Sequence, residues 1–228
     1  MPAYAQSPLT CTQIPLKVGF FDFPPFYTQA GEEGEPQGLL VDELQQLMSQ
    51  LGCQWQGKFD TAPKMLEKII HGDTDMVLVI RHPMLNGRAN YSHNPISQLK
   101  LNIYRTQGTS AVESLEQLRQ KRIILIRGYG YGGLFKKLID PSMEAELHIA
   151  SDHQAGLEML RLKRGDYLLG YQRPTSQALA KVAFDDVESH HLQTWDVHAV
   201  ISSHYSDKSL LAMIDLWLKN NATKLSVQ

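Results

Sequence analysis

The chain has 228 residues, and its 22 Lys and Arg residues against 24 Asp and Glu residues give a formal net charge of -2. That charge excludes a nucleic-acid-binding protein that works through bulk positive charge. Hydrophobic residues make up 43% and charged residues 20%, which is the composition of an ordinary globular protein. The apolar runs at 76–80 and 123–126 are far shorter than the ~20 residues of a membrane-spanning helix, so we predict no direct membrane insertion.

The first residues contain a candidate remnant of an export signal. Ala3-Tyr4-Ala5 has the small-x-small form of a signal-peptidase site, although no charged or apolar region precedes it. We interpret residues 1–13 as a stub left after removal of a secretory signal peptide, with a chance Ala-x-Ala match as the alternative. This interpretation predicts an exported, periplasmic protein.

The two cysteines leave two arrangements open. Cys11 lies just before the first predicted strand and Cys53 just after the first predicted helix, a placement that could bring them together. A disulfide and an unbridged pair are both compatible with it. A metal site is not favoured, since no CxxC or HExxH spacing occurs.

The first third of the chain has the alternating pattern of an α/β unit. An apolar strand ends at the paired prolines Pro24 and Pro25, which cannot donate ladder hydrogen bonds. Helical spacing with closing glycines then alternates with strand patterns. The predicted elements are strands at 16–21, 54–59 and 75–80 and helices at 39–51 and 63–71. This βαβαβ order predicts a parallel sheet with helices on both faces.

The rest of the chain repeats this order and then adds a terminal strand and helix. The predicted elements are short helices at 114–120 and 134–139, strands at 122–126, 145–149 and 167–169, helices at 152–164 and 175–180, a final strand at 197–201, and a helix capped by Ser206 with an apolar stripe over 210–218. The sequence therefore predicts a second α/β unit.

A glycine-rich turn, with glycines at 128, 130, 132 and 133, follows the strand at 122–126. Glycines let backbone N–H groups converge at the start of a helix, where the helix dipole favours an anion. The spacing is not that of a Walker loop, and it misses the last glycine of the dinucleotide-binding fingerprint. An anion-binding turn and a tight turn without a ligand both remain open.

Two arginines flank the loop after the strand at 75–80. Ligands of open parallel sheets bind at the carboxyl ends of the strands, where Arg81 and Arg88 could hold a carboxylate or phosphate by paired hydrogen bonds. A solvated or loop-stabilising arginine is the alternative for each. At the end of the first strand, Phe23 and Phe26 suit either stacking on a flat ligand or core packing.

Catalytic and cofactor motifs are missing from the sequence. The nine histidines have no metal-ligand spacing, and no GxSxG or triad signature occurs. We therefore predict no catalytic residue, no metal ligand and no cofactor.

Six segments share an order that is typical of one family: LKVGFFDFPPFY, GLLVDELQQLMSQLG, LEKIIHGDTDMVLVI, GRANYSHNPI, SLEQLRQKRIILIRGYG and LRLKRGDYLL. Over roughly residues 14–220 the chain resembles the type II periplasmic solute-binding proteins of the polar amino acid group, bacterial extracellular solute-binding family 3. The resemblance implies an α/β fold of two lobes, joined by two crossovers, with a ligand cleft that closes by hinge motion. Residues 14–98 and 194–228 would form lobe 1, and residues 99–193 lobe 2.

The resemblance assigns roles to some positions and fails at others. Phe23 matches the aromatic that stacks on the ligand, Arg88 the arginine that grips the α-carboxylate, and Tyr129-Gly130 the turn whose amides complete that grip. Arg81-His82-Pro83 replaces the usual Gly or Thr contacts, and Tyr171 stands where the family has the acid that binds the α-ammonium. The full candidate set is Asp22, Phe23, Phe26, Arg81, His82, Arg88, Gly128, Tyr129, Gly130, Tyr131 and Tyr171.

These positions predict a protein that captures a small anionic or amino-acid-like molecule in the cleft for an ABC transporter. The tyrosine at position 171 favours a carboxylate-bearing anion over a standard amino acid. The partner would be a transporter permease or a membrane sensor, and we expect a monomer. Two alternatives stay open, namely a ligand-sensing accessory protein and a dehydratase-like enzyme that uses Asp22, Arg81 and His82.

Overall fold

The computed structural model describes residues 11, 14–30, 34–182 and 184–225. The chain divides into two compact units, the first formed by Met1–Ser97 with Asp196–Gln228 and the second by Gln98–Trp195. The backbone therefore passes between the units twice. Residues 1–10, which contain the candidate cleavage site Ala3-Tyr4-Ala5, lie outside the described part of the chain.

The elements in chain order are β1 (Leu16–Phe20), β2 (Thr28–Ala30), β3 (Glu35–Gln37), α1 (Leu39–Leu51), β4 (Trp55–Phe59), α2 (Ala62–His71), β5 (Met76–Ile80), β6 (Ala89–Tyr91), β7 (Ser97–Thr106), β8 (Arg122–Ile126), α3 (Leu134–Leu138), β9 (Glu146–Ala150), α4 (His153–Arg161), β10 (Tyr167–Tyr171), α5 (Gln172–Leu179), β11 (Val187–Ser202) and α6 (Ser209–Leu225). Their alternation confirms the predicted α/β class.

The sheet of the first unit is centred on β1, which pairs in parallel with β4 and β5. The second half of β11 runs antiparallel to both β5 and β6. Helix α2 packs its buried face on this sheet, in a cluster with Met65, Ile69 and Val77. Helices α1 and α2 end at Gly52 and Gly72, which adopt left-handed conformations with φ of 66° and 83°. These helix ends are those that the sequence predicts.

The sheet of the second unit is centred on β8, which pairs in parallel with β9 and β10. Strand β10 in turn runs antiparallel to β7. The first half of β11 lies beside β7, where Arg105 forms an ion pair with Glu188 and the Gln107 N–H donates to the Asp186 carbonyl at 2.8 Å. Both units thus contain parallel pairs bordered by an antiparallel strand, whereas the βαβαβ order alone predicts a parallel sheet.

The backbone passes between the two units within two long strands, β7 and β11. The segments near 96–105 and 192–200 lie largely within β7 and β11, which have 10 and 16 residues. In β7 the buried residues Leu99 and Leu101 alternate with exposed neighbours, whereas residues 101–104 are all buried. The first half of β11 is polar and mostly exposed, so it carries no apolar alternation that a sequence reading could detect.

Two predictions about helices are also corrected. The segment 114–120 contains only a short 3₁₀ turn over Glu116–Leu118, because its buried residues Leu115 and Leu118 are spaced for one tight turn. At the start of α6 the cap is Asp207 rather than Ser206. The Asp207 carboxylate accepts the Ser209 N–H at 2.8 Å and the Ser209 hydroxyl at 2.6 Å.

Cys11 and Cys53 form a disulfide, with their α-carbons 5.1 Å apart. It ties the chain ahead of β1 to the chain just after α1. Separately, no helix among the described residues combines the length and the apolar character that crossing a membrane requires.

Candidate ligand-binding site

The two arginines of the first unit lie on an exposed loop that follows β5. The guanidinium carbon of Arg81 lies 5.0 Å from the centre of the Tyr91 ring. Within the described part of the chain, neither Arg81 nor Arg88 forms an ion pair with an acidic side chain. This loop therefore presents two positive charges that no neighbouring carboxylate neutralises.

His82 is occupied by local structure. Its Nδ1 atom accepts a hydrogen bond from the Met84 N–H at 3.3 Å, which caps the 3₁₀ turn Pro83–Leu85. Its own backbone N–H donates to the Tyr91 hydroxyl oxygen at 3.1 Å. The imidazole thus shapes the loop that separates the two arginines.

Three phenylalanine rings form a parallel stack just after β1. The centres of the Phe21 and Phe23 rings are 5.7 Å apart with an interplanar angle of 18°, and those of Phe23 and Phe26 are 4.9 Å apart at 22°. Phe26 is buried, Phe23 is half-buried and the neighbouring Asp22 is exposed. The stack therefore leaves part of the Phe23 ring accessible.

The phenyl stack and the arginine loop leave the same edge of the sheet. Strands β1 and β5 are parallel neighbours, with Val18 opposite Met76, so their carboxyl ends meet at one edge. That edge is where open α/β sheets bind ligands. The structure therefore brings the predicted residues Asp22, Phe23, Arg81 and His82 to one edge of the first unit.

The predicted tyrosines of the second unit form a packed aromatic cluster. Ring centres lie 5.2 Å apart for Tyr129 and Tyr171, 5.9 Å for Tyr131 and Tyr171, and 6.3 Å for Tyr171 and Trp195. The Tyr129 ring also lies 5.5 Å from that of His153. We call these five residues the aromatic cluster. Burial raises the pKa of each tyrosine well above its ordinary value, so all three hydroxyls stay neutral.

Tyr131 has a clear structural role. Its hydroxyl oxygen accepts the Ile126 N–H at 2.7 Å and its hydroxyl donates to the Leu169 carbonyl at 3.3 Å. The side chain is only 1% exposed. Tyr131 therefore joins the end of β8 to the middle of β10.

The glycine-rich turn uses part of its backbone internally. The N–H groups of Gly133 and Phe135 both donate to the Gly130 carbonyl, and the helix that follows, α3, has only five residues. Gly132 has a φ of 60° and lies against the Trp195 indole. Packing thus explains one of the glycines, while anion binding by Gly128 and Gly130 stays a prediction.

The sequence did not point to four residues at the sheet edge of the first unit and in the aromatic cluster of the second unit: Tyr91, His153, Trp195 and His198. Tyr91 falls within the family-like segment GRANYSHNPI, which is the one signal that could have drawn attention to it. The buried histidines and Trp195 have no motif. Among the described residues, no group of three His, Cys, Asp or Glu side chains could hold a metal ion.

Comparison with known proteins supports the fold. No protein-family model and no curated protein matches the chain. A solved ancestral amino acid-binding protein, AncCDT-1, described as a precursor of cyclohexadienyl dehydratase, is 18% identical over 91% of this chain and 89% of that chain, with a TM-score of 0.62. The substrate-binding protein of an amino acid ABC transporter is 16% identical over 92% and 93%, with a TM-score of 0.58.

A third solved structure is a histidine kinase sensor domain with similarity to periplasmic binding proteins. It is 15% identical over 92% of this chain and 91% of that chain, with a TM-score of 0.63. Similarity at these identities establishes the fold alone. The chain therefore has a periplasmic-binding-protein-like fold, which confirms the fold that the sequence resemblance implies.

Proposed function

We propose that this protein is an extracytoplasmic solute-binding protein that captures a small carboxylate-bearing anion. The observation that carries the proposal is the pair Arg81 and Arg88, two guanidinium groups on one exposed loop without an acidic partner in the described chain. A guanidinium binds a carboxylate through two parallel charge-assisted hydrogen bonds. Phe23, the middle ring of the phenylalanine stack at the same sheet edge, is half-buried and offers its exposed part as an apolar contact for the ligand.

The aromatic cluster supports an anion rather than a zwitterion. Tyr171 stands where the resemblance places an acid, and its neighbours in the cluster are two tyrosines, a tryptophan and a histidine. None of these side chains carries a negative charge at neutral pH, since the ordinary pKa of a tyrosine is already about 10 and burial raises it further. An α-ammonium group would find no carboxylate among these five side chains, so it would lack the ion pair that an acid at position 171 would supply.

The disulfide supports the extracytoplasmic location. Disulfides form and persist in oxidising compartments such as the periplasm and are rare in the reducing cytosol. The Cys11–Cys53 bond ties the start of the described chain to the end of α1. It supports export independently of the candidate cleavage site at Ala3-Tyr4-Ala5.

Transport through an ABC transporter is the role we propose, with a membrane permease as the partner. The similarity to a histidine kinase sensor domain over 92% of the chain favours sensing as the second candidate. The genes beside this one separate the two roles. A permease and an ATPase gene support transport, whereas a histidine kinase or cyclase gene supports sensing.

A ligand screen followed by calorimetry tests the proposed function. The thermal-shift panel contains the standard amino acids, benzoate, 3-phenylpropanoate, glutarate and inorganic phosphate. We expect carboxylates to raise the melting temperature, and we expect Arg88→Gln to weaken the binding of the best carboxylate at least ~10-fold, the loss of one charge-assisted contact. Arg164→Gln, at an exposed arginine after α4, is the matched control and should bind as wild type. Tight binding of a standard amino acid, or carboxylate binding indifferent to Arg88, would refute the proposal.

A further inference from the structure

Tyr91 contacts Arg81 and its neighbour at two points. The Arg81 guanidinium carbon lies 5.0 Å from the centre of the Tyr91 ring, within the range of a cation–π interaction. The Tyr91 hydroxyl oxygen accepts the backbone N–H of His82 at 3.1 Å. The Tyr91 side chain therefore contacts both the Arg81 guanidinium group and the peptide bond that follows Arg81.

This support matters because a free arginine side chain samples many rotamers. Ordering such a chain on a ligand costs about 1.5–2 kcal/mol of conformational entropy. Arg81 is exposed, and no carboxylate of the described chain fixes its guanidinium. A ring that already holds the guanidinium removes part of that cost before the anion arrives.

His198 backs the Tyr91 ring from within the unit. The two rings meet edge to face, with centres 5.9 Å apart and an interplanar angle of 84°. The His198 Nδ1–H donates to the Ser92 carbonyl at 2.9 Å, and the Ser92 hydroxyl oxygen accepts the Ala199 N–H at 3.2 Å. His198 is 4% exposed and Ser92 is fully buried, so this backing is rigid.

The charges around His198 decide its protonation. Burial lowers its pKa, and the positive charge of Arg81 lowers it further, while the hydrogen bond to Ser92 and the charges of Asp196 and Asp215 oppose the shift. Asp215 is also the partner of the exposed His93, whose N–H and ring face it at 2.6 and 3.1 Å. His198 is therefore neutral at neutral pH. Protonation at acidic pH would place a second positive charge behind the ring that holds Arg81.

We propose that Tyr91, backed by His198, is the positioning residue that holds Arg81 ready for the anion, and that charging His198 at acidic pH adds a second positive charge that attracts the bound anion. The inference rests on the proposed function for its ligand but not for its geometry. Tyr91 is a specificity-determining residue in this scheme, since it fixes where the first of the two guanidinium groups meets a carboxylate.

The first test needs no ligand. In NMR spectra of the full chain, ring current from Tyr91 should shift the Arg81 Nε–H resonance. We expect Tyr91→Phe to keep that shift and Tyr91→Leu to lose it. The measured pKa of His198 should rise in Arg81→Gln, because a repelling positive charge is removed. An Arg81 resonance that is the same in the Phe and Leu variants overturns the inference, whatever the protein binds.

The second test uses 3-phenylpropanoate as the calorimetric probe. We expect Tyr91→Leu to bind about 10-fold more weakly than wild type and Tyr91→Phe only about 3-fold more weakly. Phe59→Leu, which removes another half-buried ring of the same unit, is the control for general loosening and should bind as wild type. Wild-type affinity in Tyr91→Leu overturns this inference alone, whereas no binding to wild type overturns the proposed function and the ligand role of Tyr91 with it.

The pH dependence provides the third test. Between pH 7.5 and 5.5 the affinity of wild type for 3-phenylpropanoate should fall less steeply than that of His198→Gln, because only the wild type gains a positive charge that attracts the carboxylate. Protonation of the probe is common to both proteins and cancels in the ratio of their affinities. Equal pH profiles would refute the role of His198.

Discussion

Gly132 lies directly beneath the indole ring of Trp195, so that a β-carbon built on Gly132 would come within 2.3 Å of the ring carbon Cε2. Its φ of 60° is also in the left-handed region that other residues rarely adopt. Trp195 belongs to the aromatic cluster, with its ring centre 6.3 Å from that of Tyr171. The glycine is thus required by both backbone conformation and close approach.

Gly132→Ala should therefore destabilise the protein by ~2 kcal/mol or more, since left-handed strain and a steric clash act together. Gly130→Ala is the matched control, because Gly130 has a φ of -86° and nothing lies within 4 Å of the position that an added β-carbon would take. Urea unfolding measures both variants. Equal stability of the two would contradict the packing account.

The buried imidazole of His153 predicts acid sensitivity. Burial lowers the pKa of His153 to about 4, below its ordinary value of 6.5, and its Nε2 atom has no hydrogen-bond partner. The unfolded chain therefore binds a proton at a pH where the folded chain does not. Above pH ~6.5 this titration does not affect the free energy of unfolding. As the pH falls from ~6.5 towards ~4, the free energy of unfolding drops by about 3 kcal/mol.

His153→Phe removes this titration while keeping a ring in the cluster. Urea midpoints measured at several pH values should fall less steeply for His153→Phe than for wild type between pH ~6.5 and ~4. His190→Gln, at an exposed histidine of the same unit, should retain the wild-type slope. Parallel wild-type and His153→Phe profiles would show that His153 titrates normally in the folded protein.

The Cys11–Cys53 bond closes a loop with a sequence separation of 42. Constraining such a loop in the unfolded chain stabilises a protein by about 2–4 kcal/mol. Replacing both cysteines by serine should lower the free energy of unfolding by that amount, and adding a thiol reductant should lower it for wild type only. If reductant leaves the wild-type melting temperature unchanged, the bond contributes nothing to stability.

We also expect no catalytic turnover, because the sequence has no nucleophile motif and no metal-ligand spacing. Prephenate and arogenate are the substrates to test, because the sequence analysis leaves a dehydratase-like enzyme as an alternative. Steady-state conversion that disappears in both Asp22→Ala and His82→Ala would establish an enzyme instead.

Sequence reasoning succeeded where local chemistry determines the structure. Gly52 and Gly72 end their helices because only glycine enters the left-handed conformation at low cost, and that signal is visible in a single sequence. The alternation of strands and helices indicated the α/β class because helical and strand periodicities are also visible in a single sequence. The first half of β11 was not predicted as a strand, because its pairing with β7 is a tertiary contact of polar residues without an apolar pattern.

The candidate site was predictable only in part. Arg81, Arg88 and Phe23 follow strands whose carboxyl ends share one edge, so topology alone places them together. Tyr91 and His198 meet through long-range pairing of β6 with β11, in which Tyr91 lies opposite Val200. No spacing along the chain indicates the contact between Tyr91 and His198. None indicates the close approach of Trp195 to Gly132 either.

The central claim is that the site recognises a carboxylate without an ammonium partner. Two probes isolate that claim, because L-phenylalanine and 3-phenylpropanoate share a phenyl ring, a side-chain length and a carboxylate and differ in the α-ammonium group. Calorimetry on wild type should give a dissociation constant at least ~10-fold lower for 3-phenylpropanoate than for L-phenylalanine, since burying an ammonium without a charged partner costs binding free energy. Tighter binding of L-phenylalanine would contradict the account.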